Sequence, residues 1–96
     1  MSRRAVHPGV ILRDELDEIG TSQTALARAI DVPPNRISQI IAGKRAISGD
    51  TALRLGHWFG TDPQFWLNLQ AQFDIATAEA AAGDAIRKLP RREAAA

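Results

Sequence analysis

Apolar residues recur along most of the chain at spacings of three and four positions, which is the periodicity of α-helices that bury one face. Gly20, Gly43 and Gly60 follow these apolar segments, and glycine commonly ends a helix in a left-handed backbone conformation. Ser48 and Asp62 precede other segments, where their side chains can accept hydrogen bonds from the first turn of a helix. No segment carries a strand signal, so the pattern predicts an all-α fold of five helices.

A tight turn is expected between the second and third helices, at Asp31 and Val32. Pro33 and Pro34 then open the third helix, because proline is tolerated in the first turn. The residues expected in the core are Ile11, Leu12, Leu16, Ile19, Leu26, Ala27, Ile30, Val32, Ile37, Ile40, Ala52, Leu55 and Phe59, together with the aromatic residues Trp58, Phe65, Trp66 and Phe73.

The third predicted helix, from Pro34 to Ala42, has two different faces. Ile37, Ile40 and Ile41 form one apolar stripe that should pack on the core. The remaining positions carry the side chain types that hydrogen-bond with base edges or phosphates in DNA. The base-reading candidates are Asn35, Arg36, Ser38 and Gln39. A polar, solvent-exposed face would give the same pattern, so this helix alone does not separate the two interpretations.

The preceding helix favours the DNA interpretation. In a helix-turn-helix, the first helix crosses the DNA backbone and the second enters the major groove. Ser22 and Gln23 lie at the start of the first helix, where exposed N–H groups attract a phosphate. Ala27 is small where the two helices must approach closely, and Lys44 and Arg45 follow the second helix. The phosphate-binding candidates are therefore Ser22, Gln23, Lys44 and Arg45.

The central segments also carry two sets of motifs. The first set is Ser22-Gln23-Thr24-Ala25-Leu26-Ala27, Val32, Asn35-Arg36-Ile37-Ser38 and Gly43-Lys44-Arg45, and it resembles the phage-repressor (Cro/C1-type) helix-turn-helix family. The wider set is His7-Pro8-Gly9, Gly43-Lys44-Arg45-Ala46-Ile47-Ser48, Thr51-Ala52-Leu53-Arg54-Leu55, Phe59-Gly60-Thr61, Phe65-Trp66-Leu67-Asn68-Leu69-Gln70 and Phe73-Asp74. Over roughly residues 7–76, this wider set resembles the HigA-type antitoxins of bacterial toxin–antitoxin pairs.

The resemblance implies a phage-repressor-like domain that forms a homodimer and binds a palindromic operator in its own promoter. It also implies a HigB-type toxin partner, usually an mRNA endonuclease. By position, the base-reading and phosphate-binding candidates above match the family's contacts. Two positions depart from the family. Asp31 stands where glycine is often found, although aspartate tolerates a left-handed backbone. Pro33-Pro34 stands where related repressors often place polar base-contacting residues.

Composition and charge narrow the function further. The 96 residues suggest one domain, and the absence of cysteine excludes disulfides, thiolate zinc sites and a cysteine nucleophile. The net charge is only +1, but no acidic residue lies between Asp31 and Asp50, whereas Asp14, Glu15, Asp17 and Glu18 are clustered. A positive and a negative face are therefore expected, although chance asymmetry of a solvated surface is the alternative.

Catalysis, metals and membranes are not expected. His7 and His57 lie on different helices without a clustered carboxylate, so no enzyme, metal site or cofactor is predicted. No apolar run approaches the roughly 18 residues that a membrane span needs, and no signal-peptide core is seen. The expected location is the cytoplasm.

Two parts of the chain are distinguished by composition. Residues 1–76 are expected to form the helix-turn-helix DNA-binding domain with a C-terminal dimerisation helix, and residues 77–96 a helical extension that frays into a basic tail. The fifth helix carries apolar residues on more than one face. Its candidates for a dimer interface are Trp66, Leu67, Leu69 and Phe73, with simple core packing as the alternative.

Three interpretations of function follow. The preferred one is an antitoxin that also represses transcription of its own operon. The second is a stand-alone Cro/C1-type regulator without a toxin, and the third is a protein-interaction module with a degenerate helix-turn-helix.

Overall fold

The computed structural model describes residues 5–93. The helices are α1 (Pro8–Ile19), α2 (Gln23–Ala29), α3 (Pro34–Ile41), α4 (Gly49–Phe59) and α5 (Pro63–Arg87). The predicted all-α, five-helix fold is confirmed, and residues 5–93 contain no strand. Residues 1–4 of the predicted domain and residues 94–96 of the predicted tail lie outside the described residues.

Local capping sets most helix ends. Ser22, Ser48 and Asp62 each accept a hydrogen bond from a backbone N–H in the first turn of the helix that follows. Gly20 and Gly60 end α1 and α4 with φ angles of 70° and 74°, in the left-handed region that favours glycine. The sequence predictions for Ser48, Asp62, Gly20 and Gly60 are confirmed, because capping depends on residues within one turn of the helix end.

The turn between α2 and α3 uses the same backbone conformation without a glycine. Asp31 has a φ of 58°, and the N–H of Val32 donates to the carbonyl of Ala27 at 3.0 Å. Aspartate is among the residues that tolerate this region, so the turn survives the departure from the family's glycine. The turn fixes the orientation of α3 relative to α2.

The core lies where α1 to α4 and the first half of α5 meet. It contains Leu12, Leu16, Leu26, Ala27, Ile30, Val32, Ile37, Ile40, Ile47, Ala52, Leu55 and Trp66. Two residues expected in the core lie outside it, because Ile19 is 51% and Phe65 44% exposed. Helix α1 reaches α3 at an unusually close contact, because a side chain at Gly9 would overlap the backbone carbonyl of Ile40. The first turn of α1 thus supports the end of α3 directly.

Helix α5 has a packed half and a projecting half. Its first half packs on α4 and α1. From Ile75 onward its large apolar side chains are exposed. The helix continues to Arg87, whose guanidinium pairs with Asp84 and Glu79, so the extension predicted over residues 77–96 is helical as far as Arg87. Alanine's high helix propensity explains this length. Within residues 5–93, no helix is both long enough and apolar enough to cross a membrane.

Candidate nucleic-acid interface

Helix α3 presents its polar residues away from the core. Ile37 and Ile40 are fully buried, whereas Asn35 and Ser38 are exposed. Gln39 is half-buried. The Ser38 hydroxyl donates to the Asn35 carbonyl at 3.2 Å, so it is turned toward its own helix. The amide side chains of Asn35 and Gln39 are suited to adenine edges.

Arg36 lies along the surface rather than projecting from it. Its Nη1 donates to Oδ2 of Asp50 at 2.9 Å, in the first turn of α4. Arg36 and Asp50 line a shallow groove together with Arg45, Ala46, Ser48 and Thr51. This ion pair was not predicted from the sequence, because a separation of 14 positions between residues on different helices carries no local signal.

A second arginine shares the same carboxylate. Arg54 Nε donates to Oδ2 of Asp50 at 2.9 Å, and Arg54 Nη1 donates to the carbonyls of Ile30 at 2.8 Å and Asp31 at 3.3 Å. Arg54 therefore ties α4 to the turn of the helix-turn-helix. Its hydrogen bond, with the charges of Arg54 and Arg36, holds the pKa of the Asp50 carboxyl below its usual value. The spacing of Asp50 and Arg54 is the one signal that could have indicated this contact.

A side chain of α5 holds the loop that follows α3 in place. Lys44 and Arg45 are exposed in this loop, and Gly43 begins it with a φ of 76°. The N–H of Ile47 donates to Oε1 of Gln70 at 2.8 Å, and Gln70 is only 7% exposed. This buried hydrogen bond sets the path of a loop that carries two predicted phosphate contacts. This hydrogen bond was not predicted, because a glutamine that becomes buried has the same sequence pattern as any other polar residue of a helix.

Gln70 is itself oriented by a further contact. Its Nε2 donates to Oδ1 of Asp74 at 2.9 Å, one turn further along α5. The carboxylate fixes the amide so that Oε1 points to the loop.

His7 supports the same loop from the other side. Its Nδ1 accepts from the N–H of Gly9 at 2.9 Å, so the imidazole caps the start of α1. Its ring meets the Phe73 ring edge to face, with centroids 4.9 Å apart. Burial lowers the pKa of His7 below its ordinary value of 6.5, although the Asp74 charge and a hydrogen bond to the Arg45 backbone oppose this effect. Among residues 5–93, no three His, Cys, Asp or Glu residues gather as metal ligands would.

The remaining predicted DNA contacts lie at the start of α2. Ser22 and Gln23 are exposed there, and Ser22 Oγ accepts from the N–H of Ala25 at 3.0 Å. Within the described part of the chain, no hydrogen bond joins this end of the unit to Lys44 or Arg45. The predicted contacts thus form two separate groups, one at α2 and one around α3 and its following loop.

The four residues predicted at the dimer interface differ in burial. The structure differs from the prediction at Trp66, whose side chain is 1% exposed and packs among core residues of its own chain, so it is not available to a second copy. Leu67, Leu69 and Phe73 are half-buried. Leu69 and Phe73 line an apolar hollow with Val6 on the surface. For these three residues the dimer interface stays a prediction.

Comparisons with known proteins agree with a helix-turn-helix formed by α2 and α3. A helix-turn-helix family profile matches residues 12–66. Virulence-associated protein I of Dichelobacter nodosus is 51% identical over 76 residues, which cover 78% of this chain and 70% of that protein.

Two solved structures carry the comparison further. An addiction module antidote protein of the HigA family from Coxiella burnetii is 43% identical, with a TM-score of 0.92 over 95% of this chain and 100% of that one. Pseudomonas aeruginosa antitoxin HigA, solved with the higBA promoter, is 46% identical, with a TM-score of 0.88 over 94% of this chain and 100% of that one. Helix-turn-helix proteins and HigA-type antitoxins are DNA-binding proteins rather than enzymes. The chain belongs to the helix-turn-helix family and, within it, to the HigA-type antitoxins.

Proposed function

We propose that this protein is a DNA-binding antitoxin that represses its own operon. The observation that carries the proposal is the exposed polar face of α3, held on a rigid α2–turn–α3 unit and followed directly by a basic loop. The relative from Pseudomonas aeruginosa solved with its promoter supports the same assignment.

In this proposal α3 enters the major groove. Asn35 and Gln39 contact adenine edges, Arg36 contacts guanine, and Ser38 contacts either bases or phosphates. Phosphates on one side are bound by Ser22 and Gln23 and on the other by Lys44 and Arg45. The two groups lie at opposite ends of the helix-turn-helix, which is the arrangement that would fix its register on the duplex.

Two copies are proposed to bind together. A homodimer would place two α3 helices in successive major grooves about 34–36 Å apart and would read a palindromic operator. Residues 1–76 would form the DNA-binding domain with its dimerisation helix, and residues 77–96 a basic extension. Leu67, Leu69 and Phe73 are the proposed interface, because all three side chains remain partly accessible on α5 and two of them, Leu69 and Phe73, line an apolar hollow.

The second partner is proposed to be a HigB-type mRNA endonuclease toxin. Membership in the HigA-type antitoxins supports it. Exposed Asp14, Asp17 and Glu18 on α1 offer an acidic surface, which complements the basic surface that an RNA-binding nuclease requires. The proposed location of the protein is the cytoplasm, where both its operator and the mRNA substrate of the toxin would be found.

The DNA-binding role is tested with Arg36→Ala and Lys44→Ala in titrations of the protein with upstream and scrambled duplexes. If Arg36 reads guanine, its loss reduces discrimination by about 1–3 kcal/mol. Loss of Lys44 should weaken both duplexes alike and reduce the salt slope by about 1. Lys88→Ala, in the projecting end of the chain, is the charge control. If neither duplex binds at physiological salt, the protein is an interaction module instead.

The antitoxin role is tested separately by searching for a small basic protein encoded immediately beside this gene and co-expressing the two proteins. Absence of such a gene would favour a stand-alone regulator. A stable complex that abolishes mRNA cleavage supports the antitoxin role. Operator binding without any such complex would favour a stand-alone regulator.

A further inference from the structure

One carboxylate oxygen lies between two arginines at the edge of the proposed DNA surface. Oδ2 of Asp50 accepts from Arg36 Nη1 and from Arg54 Nε, each at 2.9 Å. Arg36 belongs to α3, whereas Arg54 belongs to α4 and also donates to the Ile30 carbonyl of the turn. Asp50 therefore connects Arg36, the base-reading candidate, with Arg54, which supports the turn.

The position of this charge is unexpected for a DNA-binding surface. Asp50 lines the same groove as Arg36 and Arg45, and its side chain is more than half exposed. It is the first acidic residue after Asp31, so it stands alone among the basic residues of the segment. A carboxylate there repels any phosphate that approaches it, so it weakens most the complexes in which a phosphate lies beside Arg36. Its pKa lies below the usual value, so the charge is present throughout the physiological pH range.

The same carboxylate competes with DNA for Arg36. While Arg36 donates to Asp50, that N–H is withheld from phosphates and bases. Exposed ion pairs contribute little, so a DNA group with better geometry can displace the carboxylate. A guanine offers the uncharged acceptors O6 and N7 together to one guanidinium, so the Asp50 carboxylate can stay nearby without repulsion. Non-specific DNA offers Arg36 a phosphate instead, whose negative charge repels the Asp50 carboxylate.

We propose that Asp50 is a specificity-determining residue: it holds Arg36 against α4 until a guanine edge replaces the carboxylate, and it suppresses binding to other DNA. The inference rests on the proposed base-reading role of Arg36. Asp50 acts through Arg36 and is not itself proposed to contact a base.

The test compares the duplex protected in footprints upstream of the gene with a scrambled duplex of equal length. Asp50→Asn keeps the size of the side chain and an acceptor for Arg54 but removes the charge. We expect affinity for the scrambled duplex to rise about fivefold to tenfold at 0.1 M salt, as expected for one fewer negative charge. Affinity for the protected duplex should change less than threefold, so the ratio of the two affinities falls.

Two control variants isolate the mechanism. Glu18→Gln removes an equal charge from α1 and should leave the ratio unchanged. In an Arg36→Ala background, Asp50→Asn should shift both duplexes equally, because no arginine remains to be released. Thermal unfolding checks that each variant is folded, and Asp50→Ser provides a second uncharged side chain if Asp50→Asn is not.

The outcomes distinguish a failure of the Asp50 inference from a failure of the proposed base reading by Arg36. If Arg36→Ala alone leaves the ratio unchanged, the proposed reading by Arg36 is wrong. If Arg36→Ala lowers the ratio but Asp50→Asn weakens both duplexes alike, Arg36 reads bases and Asp50 only braces the fold. A fall in the ratio that persists equally without Arg36 would also overturn the inference.

Discussion

Residues 5–74 and residues 75–93 are held in place in different ways, although helix α5 runs through both. In the first region α1 to α4 and Trp66 share a continuous core. In the second, the large apolar side chains, such as Ile75 and Ile86, are exposed and Gly83 is the one buried position described. The DNA-binding unit therefore depends on contacts between distant parts of the chain, whereas the projecting half of α5 depends on local helix propensity.

The largest expected difference comes from removing the same side chain in each region. Ile40 is 0% exposed near the end of α3, and Ile86 is 56% exposed near the end of α5. Ile40→Ala should lower the free energy of unfolding by about 2–5 kcal/mol, because it leaves a cavity. Ile86→Ala should change it by less than about 0.5 kcal/mol. Urea unfolding measures both, and equal losses would show that the projecting half packs against something in solution.

Glycine-to-alanine changes should have opposite signs in the two regions. A Cβ at Gly9 would overlap the Ile40 carbonyl and lie 2.9 Å from Cα of Ile41, both backbone atoms, so we expect a loss of about 3 kcal/mol. A Cβ at Gly83 would meet only the Glu79 carboxylate, which can move. Gly83→Ala should stabilise by up to about 1 kcal/mol through helix propensity. Thermal unfolding of both variants checks the signs, and a tolerated Gly9→Ala would contradict the close contact of α1 with α3.

Polar contacts should follow the same division. Gln70→Leu leaves the N–H of Ile47 without its buried partner and should cost about 1–2 kcal/mol in urea unfolding. It should also weaken DNA binding, since the loop carrying Lys44 and Arg45 loses its support. Arg87→Ala, which breaks exposed ion pairs of the projecting half, should have little effect on either property. Unchanged DNA affinity in Gln70→Leu would mean that the loop keeps its path without this hydrogen bond.

The smallest expected effect is a pH dependence confined to the packed region. The lowered pKa of His7 means that the folded protein favours the neutral imidazole. Stability from this residue is complete above the ordinary pKa of 6.5 and decreases as the pH falls toward the folded-state pKa. His7→Gln should remove this dependence of the free energy of unfolding on pH. A slope unaffected by His7→Gln would assign the dependence to other groups.

The same division explains what the sequence could predict. The caps at Ser48 and Gly60 and the left-handed Asp31 depend on neighbours in the chain, and they were predicted correctly. Phe65 and Trp66 are adjacent aromatic residues, yet Phe65 is exposed and Trp66 is buried. Which face of α5 is covered depends on residues far away in the chain, so the local sequence does not distinguish the two.

The candidate site shows the same limit. The exposed positions on α3 follow from helical periodicity. The pairing of Arg36 with Asp50 and the support of the loop by Gln70 do not, because each joins elements that the sequence does not place side by side.

The most direct test of the account is footprinting of the DNA upstream of this gene with the purified protein across a salt series. We expect protection of two half-sites about one helical turn apart, weakening steeply as salt rises and lost in an Asn35/Arg36/Gln39 triple alanine variant that remains folded. Absence of protection at any salt, or protection that the triple variant retains, would contradict the claim that α3 reads the operator.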